Sequence, residues 1–278
     1  MASKTVRTLT RRTFSYIFLA VTAVLCLYPA LWVLMSSVRP GDTLFSESLL
    51  PSQFTLAHYR DLFTKYPFMQ WYANTLKISV ISTISGSVLV LMTAYVFSMF
   101  RFAGRQNLMS MLLVLGLFPG FMSMIAIYIL LNQMNLLNTH LAVIIVSAAG
   151  APLFFLFSKS YFDTIPRSLV EAARIDGAGH LGTFARIVMP LSKPLLVFVI
   201  LMNFTGPFTD FIFAKLVLRT PEKKTLAVGL YDMATDTTKL QFTVFAAGCV
   251  LVAVPITLLF LMLQRYLIGG LTSGADKG

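Results

Sequence analysis

The sequence is poor in charged residues, and this shortage indicates the class of protein. Charged residues make up 12% of the 278 residues, whereas a soluble domain carries roughly 25%. Hydrophobic residues make up 57% and are gathered in long runs. The composition argues against a soluble globular fold and is typical of a helical membrane protein.

Cysteine and histidine are also scarce. The two cysteines, Cys26 and Cys249, both lie within apolar runs, where buried thiols pack as small hydrophobic groups. The three histidines do not form a metal-ligand spacing with cysteines or carboxylates, and they allow no Ser–His–acid arrangement. A membrane enzyme is therefore the least favoured class of function.

Motifs for nucleotides and nucleic acids are missing as well. The sequence contains no Gly-rich phosphate loop of the Walker type. If ATP drives this protein, another chain must hydrolyse it. The net charge of +11 is spread along the chain instead of forming a basic patch interleaved with aromatic residues, so nucleic-acid binding is not expected.

Six apolar stretches are each long enough to cross a bilayer. Since backbone groups in hydrocarbon must be hydrogen-bonded internally, each stretch is predicted to be a helix. The predicted spans are Ser15–Ser37, Thr75–Met99, Leu108–Leu131, Leu141–Phe162, Pro194–Leu216 and Phe242–Arg265. We expect interruptions at Gly116, Pro119 and Gly120 in the third span and at Pro207 in the fifth. The membrane domain covers 15–265, between tails 1–14 and 266–278.

The distribution of Lys and Arg predicts the orientation of these spans. Thirteen of the 22 basic residues lie in the tails and loops on one side, eight lie on the other, and Lys77 lies within the second span. The N-terminal tail carries four basic residues and no acid. Both termini are therefore predicted to face the cytoplasm, with the loop 163–193 inside and the loops 39–74 and 218–241 outside.

The inner loop 163–193 is the most informative segment. Ser168 is a plausible N-cap and Gly177 suits the position after a helix end, which predicts a short helix of about two turns followed by a bend. A second helical piece is predicted to start near Thr183. Arg167, Glu171 and Arg174 form a charged stripe on the short helix. The residues alone leave two interpretations open: a solvated connector with weak internal ion pairing, or a docking helix.

The spacing of this loop resembles a known family. Glu171-Ala172-Ala173, then Gly177, then Ile187-Val188-Met189-Pro190 resembles the EAA loop of bacterial ABC importer permeases, with Met189 in place of the usual Leu. The segments Asn74–Leu76, Phe102–Arg105 and Leu136–Thr139 resemble carbohydrate permeases. Thr225–Gly229 and Arg265–Thr272 resemble the maltose/maltodextrin branch in particular.

The resemblance implies a type I ABC importer permease fold in a bacterial cytoplasmic membrane. It implies a second permease subunit, an ABC ATPase dimer that binds ATP and Mg, and an extracytoplasmic sugar-binding protein as partners in the lipid bilayer. No cofactor is expected on this chain. The residues implied in ATPase docking are Glu171, Ala172, Ala173, Arg174, Gly177, Ile187 and Pro190. Those implied in binding-protein contact, on the outer loop 218–241, are Lys223, Lys224, Asp232 and Asp236.

Polar residues in the fifth predicted span are candidates for the translocation pathway. Asn203 and Asp210 are seven residues apart, and Thr205 and Thr209 are four apart. An acid within a span is expensive and therefore suggests function. The alternative is that Asn and Thr hydrogen-bond between neighbouring helices. Asp210 is the only acid within a predicted span and no internal repeat is visible, which favours a permease subunit over a stand-alone secondary transporter or channel.

Overall fold

The computed structural model describes residues 2–42, 49–117, 120–150, 152–235 and 241–275, and within these ranges all regular structure is helical. The helices are α1 Ala2–Ser37, α2 Ala57–Lys65, α3 Phe68–Met99, α4 Arg105–Leu117, α5 Gly120–Gln133, α6 His140–Ala149, α7 Pro152–Phe162, α8 Arg167–Ile175, α9 His180–Thr183, α10 Met189–Leu191, α11 Lys193–Thr209, α12 Ile212–Val217, α13 Leu226–Thr235 and α14 Phe242–Ala275. A π-helical turn occupies Phe184–Val188 and a 3₁₀ turn Pro221–Lys223.

Three continuous helices are long and apolar enough to cross a membrane: parts of α1 and α14, and all of α3. Three bent pairs pass the same test when each pair is taken as one span: α4 with α5, α6 with α7, and the segment His180–Leu191 with α11. The described chain therefore holds three to six spans by length and composition. The count of six remains a prediction.

Two of the breaks between paired helices lie where the sequence contains glycine and proline. In the third predicted span, α4 and α5 meet at an angle of 104°, in the region where the sequence predicts an interruption. In the fourth, α6 ends at Gly150, whose φ of +68° is accessible mainly to glycine. The 40° bend that follows was not predicted. Pro152 then begins α7, where a missing N–H costs nothing.

The sequence predicts that Pro207 interrupts the fifth span. This prediction is wrong, because the break lies at Asp210. Helix α11 continues through the buried Pro207 and ends at Thr209. Asp210 has an extended backbone, and its carboxylate accepts a hydrogen bond from the N–H of Phe213 in α12 at 3.1 Å. The helix breaks at Asp210 because this carboxylate satisfies an N–H at the beginning of α12 that has no partner within the helix.

The residues form two compact units, and the larger comprises Phe68–Tyr231 and Val252–Gly278. Within this unit α3 packs against α6, α7 and α11. Small residues on α3 allow the close approach. A Cβ added at Gly86 would lie 3.1 Å from the carbonyl oxygen of Ala148 and 3.2 Å from the side-chain oxygen of Asn203. Helices in membranes pack closely at such small residues.

The smaller unit comprises Met1–Pro67 and Asp232–Leu251. Its core contains a buried histidine, His58, whose Nε2 donates to the carbonyl oxygen of Arg39 at 2.6 Å. Its Nδ1 lies 3.2 Å from Oγ1 of Thr243, within hydrogen-bonding distance. In contrast, α1 exposes large apolar side chains along most of its length, as at Phe14, Phe18 and Leu25. Such a surface suits lipid or another subunit and does not suit water.

Candidate functional site

The short helix α8 begins one residue earlier than its predicted N-cap. Pro166 is the residue at the N-cap position, with an extended ψ of 125° and no side-chain hydrogen bond, so the prediction of Ser168 as N-cap is wrong. The carbonyl of Pro166 instead accepts from the N–H of Leu169 at 3.2 Å. Proline fixes its own φ near the helical value, and this starts the helix without a polar cap.

The end of α8 confirms the prediction for Gly177. Its φ is +84°, and nothing lies within 4 Å of the position a Cβ would take. The N–H of Gly177 bonds to the carbonyl of Arg174 at 3.0 Å, and the N–H of Ala178 bonds to that of Ala173 at 2.9 Å. These two bonds form a Schellman motif, which closes the helix and requires a left-handed residue at Gly177.

The two faces of α8 differ sharply in exposure. Val170 and Ala173 are each 5% exposed, and Val170 belongs to the same apolar cluster as Phe162 and Val188. Glu171, Ala172 and Ile175 point outward, and Ile175 is 86% exposed. Of the two adjacent alanines predicted to dock, only Ala172 is therefore on the surface. Ala173 holds the helix against the rest of the protein.

Arg174 does not pair with Glu171, although one charged stripe was predicted. Its guanidinium lies 3.1 Å from Nδ1 of His180 and 5.9 Å from the ring centre of Phe100. Because guanidinium only donates, Nδ1 accepts, and the neutral imidazole carries its proton on Nε2. Within the described ranges Glu171 makes no ion pair. Its carboxylate therefore lies on the exposed face of α8 without an ion-pair partner among the described residues.

The second half of the loop is helical, as the sequence predicts. It starts at His180, three residues before the predicted start, and contains the π turn Phe184–Val188. The turn ends two residues before Pro190, whose ring would clash with a carbonyl four residues back in a regular α-helix. Ile187 is half-buried and Pro190 is exposed. The predicted docking residues other than Ala173 thus remain partly or fully accessible.

Asn203 is positioned by contact between helices. Its Nδ2 donates to the carbonyl of Val199 at 3.0 Å and to Oγ of Ser87 on α3 at 3.4 Å. Its Oδ1 lies close to Gly86, where it would be 3.2 Å from an added Cβ. These contacts match the alternative interpretation, hydrogen bonding between packed helices.

The other pathway candidates bond locally. Oγ1 of Thr205 donates to the carbonyl of Leu201 at 2.6 Å, and Oγ1 of Thr209 donates to that of Gly206 at 3.0 Å. Asp210 bonds to the start of α12. These three side chains and Asn203 therefore make no hydrogen bond to one another within the structure as described.

The predicted binding-protein residues that the structure describes are only partly accessible. Nζ of Lys223 donates to the carbonyl of Asn138 at 2.6 Å, and the carbonyl of Lys224 accepts from Asn74 at 2.9 Å. Both lysines are half-buried. Asp232 is a half-buried residue of α13, and Asp236 lies outside the described residues.

The predicted outer loop 218–241 contains a buried helix that the sequence analysis missed. Four large side chains of α13 are almost fully buried: Leu226, Val228, Leu230 and Met233. The N–H of Leu226 donates to Oγ1 of Thr75 on α3 at 2.8 Å. Gly229 lies against the indole of Trp71, so closely that an added Cβ would sit 2.3 Å from a ring carbon. The apolar pattern from Leu226 to Leu230 was the available signal.

In the part of the chain that the structure describes, apolar and bent helices pack on α3 and a short helix presents an acid on its surface, as in a helical membrane protein with several spans. A model of the family described as "Binding-protein-dependent transport system inner membrane component" matches residues 6–272. The chain belongs to this family. It is a membrane permease component of an ATP-binding-cassette importer and not the ATPase.

Relatives cover the whole chain. It is 41% identical over its full length to the complete galactooligosaccharides transport system permease protein GanQ of Bacillus subtilis. It is 37% identical to the maltodextrin transport system permease protein MdxG of the same organism, with 95% of each chain covered. To the maltose/maltodextrin permease protein MalG of Escherichia coli it is 34% identical, with 91% of each covered.

Solved structures share the fold. A chain of a bacterial ABC transporter involved in the import of alginate superposes with a TM-score of 0.79 at 23% identity, covering 91% of this chain and 95% of that one. A second alginate transporter structure, in complex with a periplasmic protein carrying an alginate pentasaccharide, gives a TM-score of 0.65 at 16% identity, covering 93% and 95%.

Proposed function

We propose that this chain forms half of the membrane pathway of an importer for oligosaccharides of the maltodextrin or galactooligosaccharide class. The proposal is supported by relatives whose names specify galactooligosaccharides, maltodextrin and maltose, at 33–41% identity over most of the chain. Family membership favours a subunit of a larger assembly over a stand-alone secondary transporter or channel.

The proposed coupling to an ATPase rests on the exposed face of α8. An acid without a described ion-pair partner and the apolar Ile175 point outward from a helix whose opposite face is buried. An isolated helix of nine residues would be unstable in water, and here packing and the Schellman motif hold it in place. Such a rigid, exposed helix suits insertion into a cleft on a partner. In the proposed complex Glu171 pairs with a basic group there, and ATP and Mg bind to that partner.

The remaining partners of the proposal are a second permease subunit and an extracytoplasmic sugar-binding protein. The largely exposed apolar surface of α1 offers area for another subunit or lipid. A related transporter of the same fold has been solved with a periplasmic protein bound. Lys223, Lys224 and Asp232 remain the proposed contacts to that protein in this chain.

The topology can be tested by cysteine labelling. After Cys26 and Cys249 are replaced, cysteines at positions 3 and 277 should react with a membrane-impermeant maleimide only in permeabilised cells. A cysteine at Thr235 should react in intact cells, and one at the exposed Lys65 serves as the outer control. Labelling of position 3 in intact cells would contradict the proposed orientation.

The pathway assignment predicts that Asn203→Ala and Asp210→Ala lower sugar uptake while the protein still assembles. Removing the Asp210 carboxylate also deprives the start of α12 of its hydrogen bond, at a cost of about 1 kcal/mol. Uptake into vesicles should be compared with the amount of assembled complex. The control is Ser85→Ala, which removes a hydroxyl bonded within its own helix. Uptake at the parental rate in both variants would leave Asn203 and Asp210 as packing groups only.

A further inference from the structure

A basic cavity of about 500 Å³ lies in the larger unit where three helix ends meet. Helix α3 ends at Met99, α4 begins at Arg105, and α7 ends at Phe162. The cavity is lined by Arg101, Phe102, Arg105, Gln106, Asn107 and Lys159, among others. This cavity has no part in the coupling or pathway roles described above.

The cavity carries an excess of positive charge. Three of its lining side chains are cationic and none is a carboxylate. The nearest acid, Asp163, bonds to Lys159 at 2.6 Å and accepts from Ser98 at 2.7 Å. Arg101 and Arg105 make no ion pair with any residue that the structure describes. About two positive charges are therefore left for a ligand.

Phe102, which lines the cavity beside the arginines, is held in place by aromatic packing. The ring of Phe102 packs edge-on against Phe97 with centroids 5.3 Å apart, and Phe97 packs in the same way on Phe155 at 4.9 Å. Nε of Arg105 is buried and has no hydrogen-bond partner among the described atoms. Helix α4 begins at this cavity, and the positive end of its dipole favours an anion there.

An apolar surface continues from the cavity along α4. No residue of this helix is buried, and Leu108, Met111 and Leu115 are 42%, 51% and 53% exposed on one face. A soluble phosphate would gain nothing from these side chains. A phospholipid would place its headgroup in the cavity and its acyl chains along α4.

We infer that this cavity binds the headgroup of an anionic phospholipid, with Arg101 and Arg105 contacting the phosphodiester. The location suits this ligand, because the ends of apolar helices lie at the level of the lipid headgroups. Basic pockets between membrane helices bind such headgroups. None of the residues that line the cavity belongs to α8, although Arg105 also lines a smaller pocket together with Arg167 of that helix. The inference predicts a lipid requirement that family membership does not specify.

The full-length chain in neutral detergent, examined by native mass spectrometry, tests the inference. Dioleoylphosphatidylglycerol should be retained in preference to dioleoylphosphatidylcholine. Each cation contributes about fivefold to binding at an anionic headgroup, so R101Q/R105Q should weaken retention about twenty-fivefold. The matched control R12Q/R265Q removes two exposed cations from the same predicted side and should retain the lipid. Equal losses in both double variants would overturn the site.

Three further measurements test the inference. If R101Q/R105Q fails to fold, R101Q alone, at an exposed residue, should lose about fivefold. In the unmodified protein, a photoactivatable phosphatidylglycerol should label the peptide 105–117. Labelling confined to other helices would contradict the inference. A large excess of inorganic phosphate should leave the lipid bound, and displacement by phosphate would show a soluble anion site instead.

Discussion

Glu171→Lys and Gly177→Val should each abolish ATP-driven uptake while the protein still inserts into the membrane. The lysine reverses the charge of an exposed acid that makes no ion pair among the described residues. The valine occupies a position with a φ of +84°, where a β-branched residue costs about 1–2 kcal/mol. It would open the Schellman motif and misalign α8. The measurement is co-purification of the ATPase together with sugar uptake in vesicles supplied with the binding protein.

Two matched variants distinguish a loss of ATPase docking from a general loss of protein stability. Glu222→Lys makes the same charge reversal at an exposed residue on the predicted outer side, and should leave ATPase co-purification intact. Gly177→Asn adds a side chain that tolerates the left-handed region, and should retain more activity than Gly177→Val. Full uptake by both Glu171→Lys and Gly177→Val would contradict the docking role of α8.

Gly229→Ala should destabilise the protein by about 1–3 kcal/mol, since it forces a methyl group into a filled space. The added Cβ would lie 2.3 Å from the ring of Trp71, which is itself buried. Neither partner moves easily, because α13 is also held by the hydrogen bond from Leu226 to Thr75. The thermal unfolding midpoint in detergent should fall, and Gly229→Leu should reduce the yield of folded protein further.

The control for this prediction is Gly206→Ala, at a helical position where nothing lies within 4 Å. Alanine there should raise stability by up to about 1 kcal/mol because it favours the helix more than glycine does. Replacing Trp71 by Leu should lessen the additional cost of Gly229→Ala. An unchanged midpoint in Gly229→Ala would mean that the indole moves aside freely.

Local signals predicted the candidate site well where the conformation depends on neighbours in sequence. Gly177 is an example: a glycine after a short amphipathic stretch predicts a left-handed helix end, and φ is +84° there. The same reasoning failed at Ser168, because Pro166 starts α8 without a cap. It also failed for the end of the fifth predicted span, where a break was expected at Pro207 and lies instead at Asp210.

Sequence patterns did not predict the contacts between segments that are distant in the chain. Arg174 was expected to pair within α8, yet it contacts His180 and the ring of Phe100. The loop 218–241 was expected to contact a binding protein, yet its helix α13 buries Leu226, Val228, Leu230 and Met233. In each case the contacts are made to a different segment of the chain, which local periodicity does not specify.

The sequence by itself determined the membrane class, the three long continuous apolar helices and the EAA-type loop. These properties depend on runs of hydrophobic residues and on spacing, both of which are local in the chain. The tertiary structure decided which of Ala172 and Ala173 is exposed, why Gly229 must be small, and that Arg101, Arg105 and Lys159 share a cavity. Each of these depends on which helices touch, because close packing joins residues that lie far apart in the sequence.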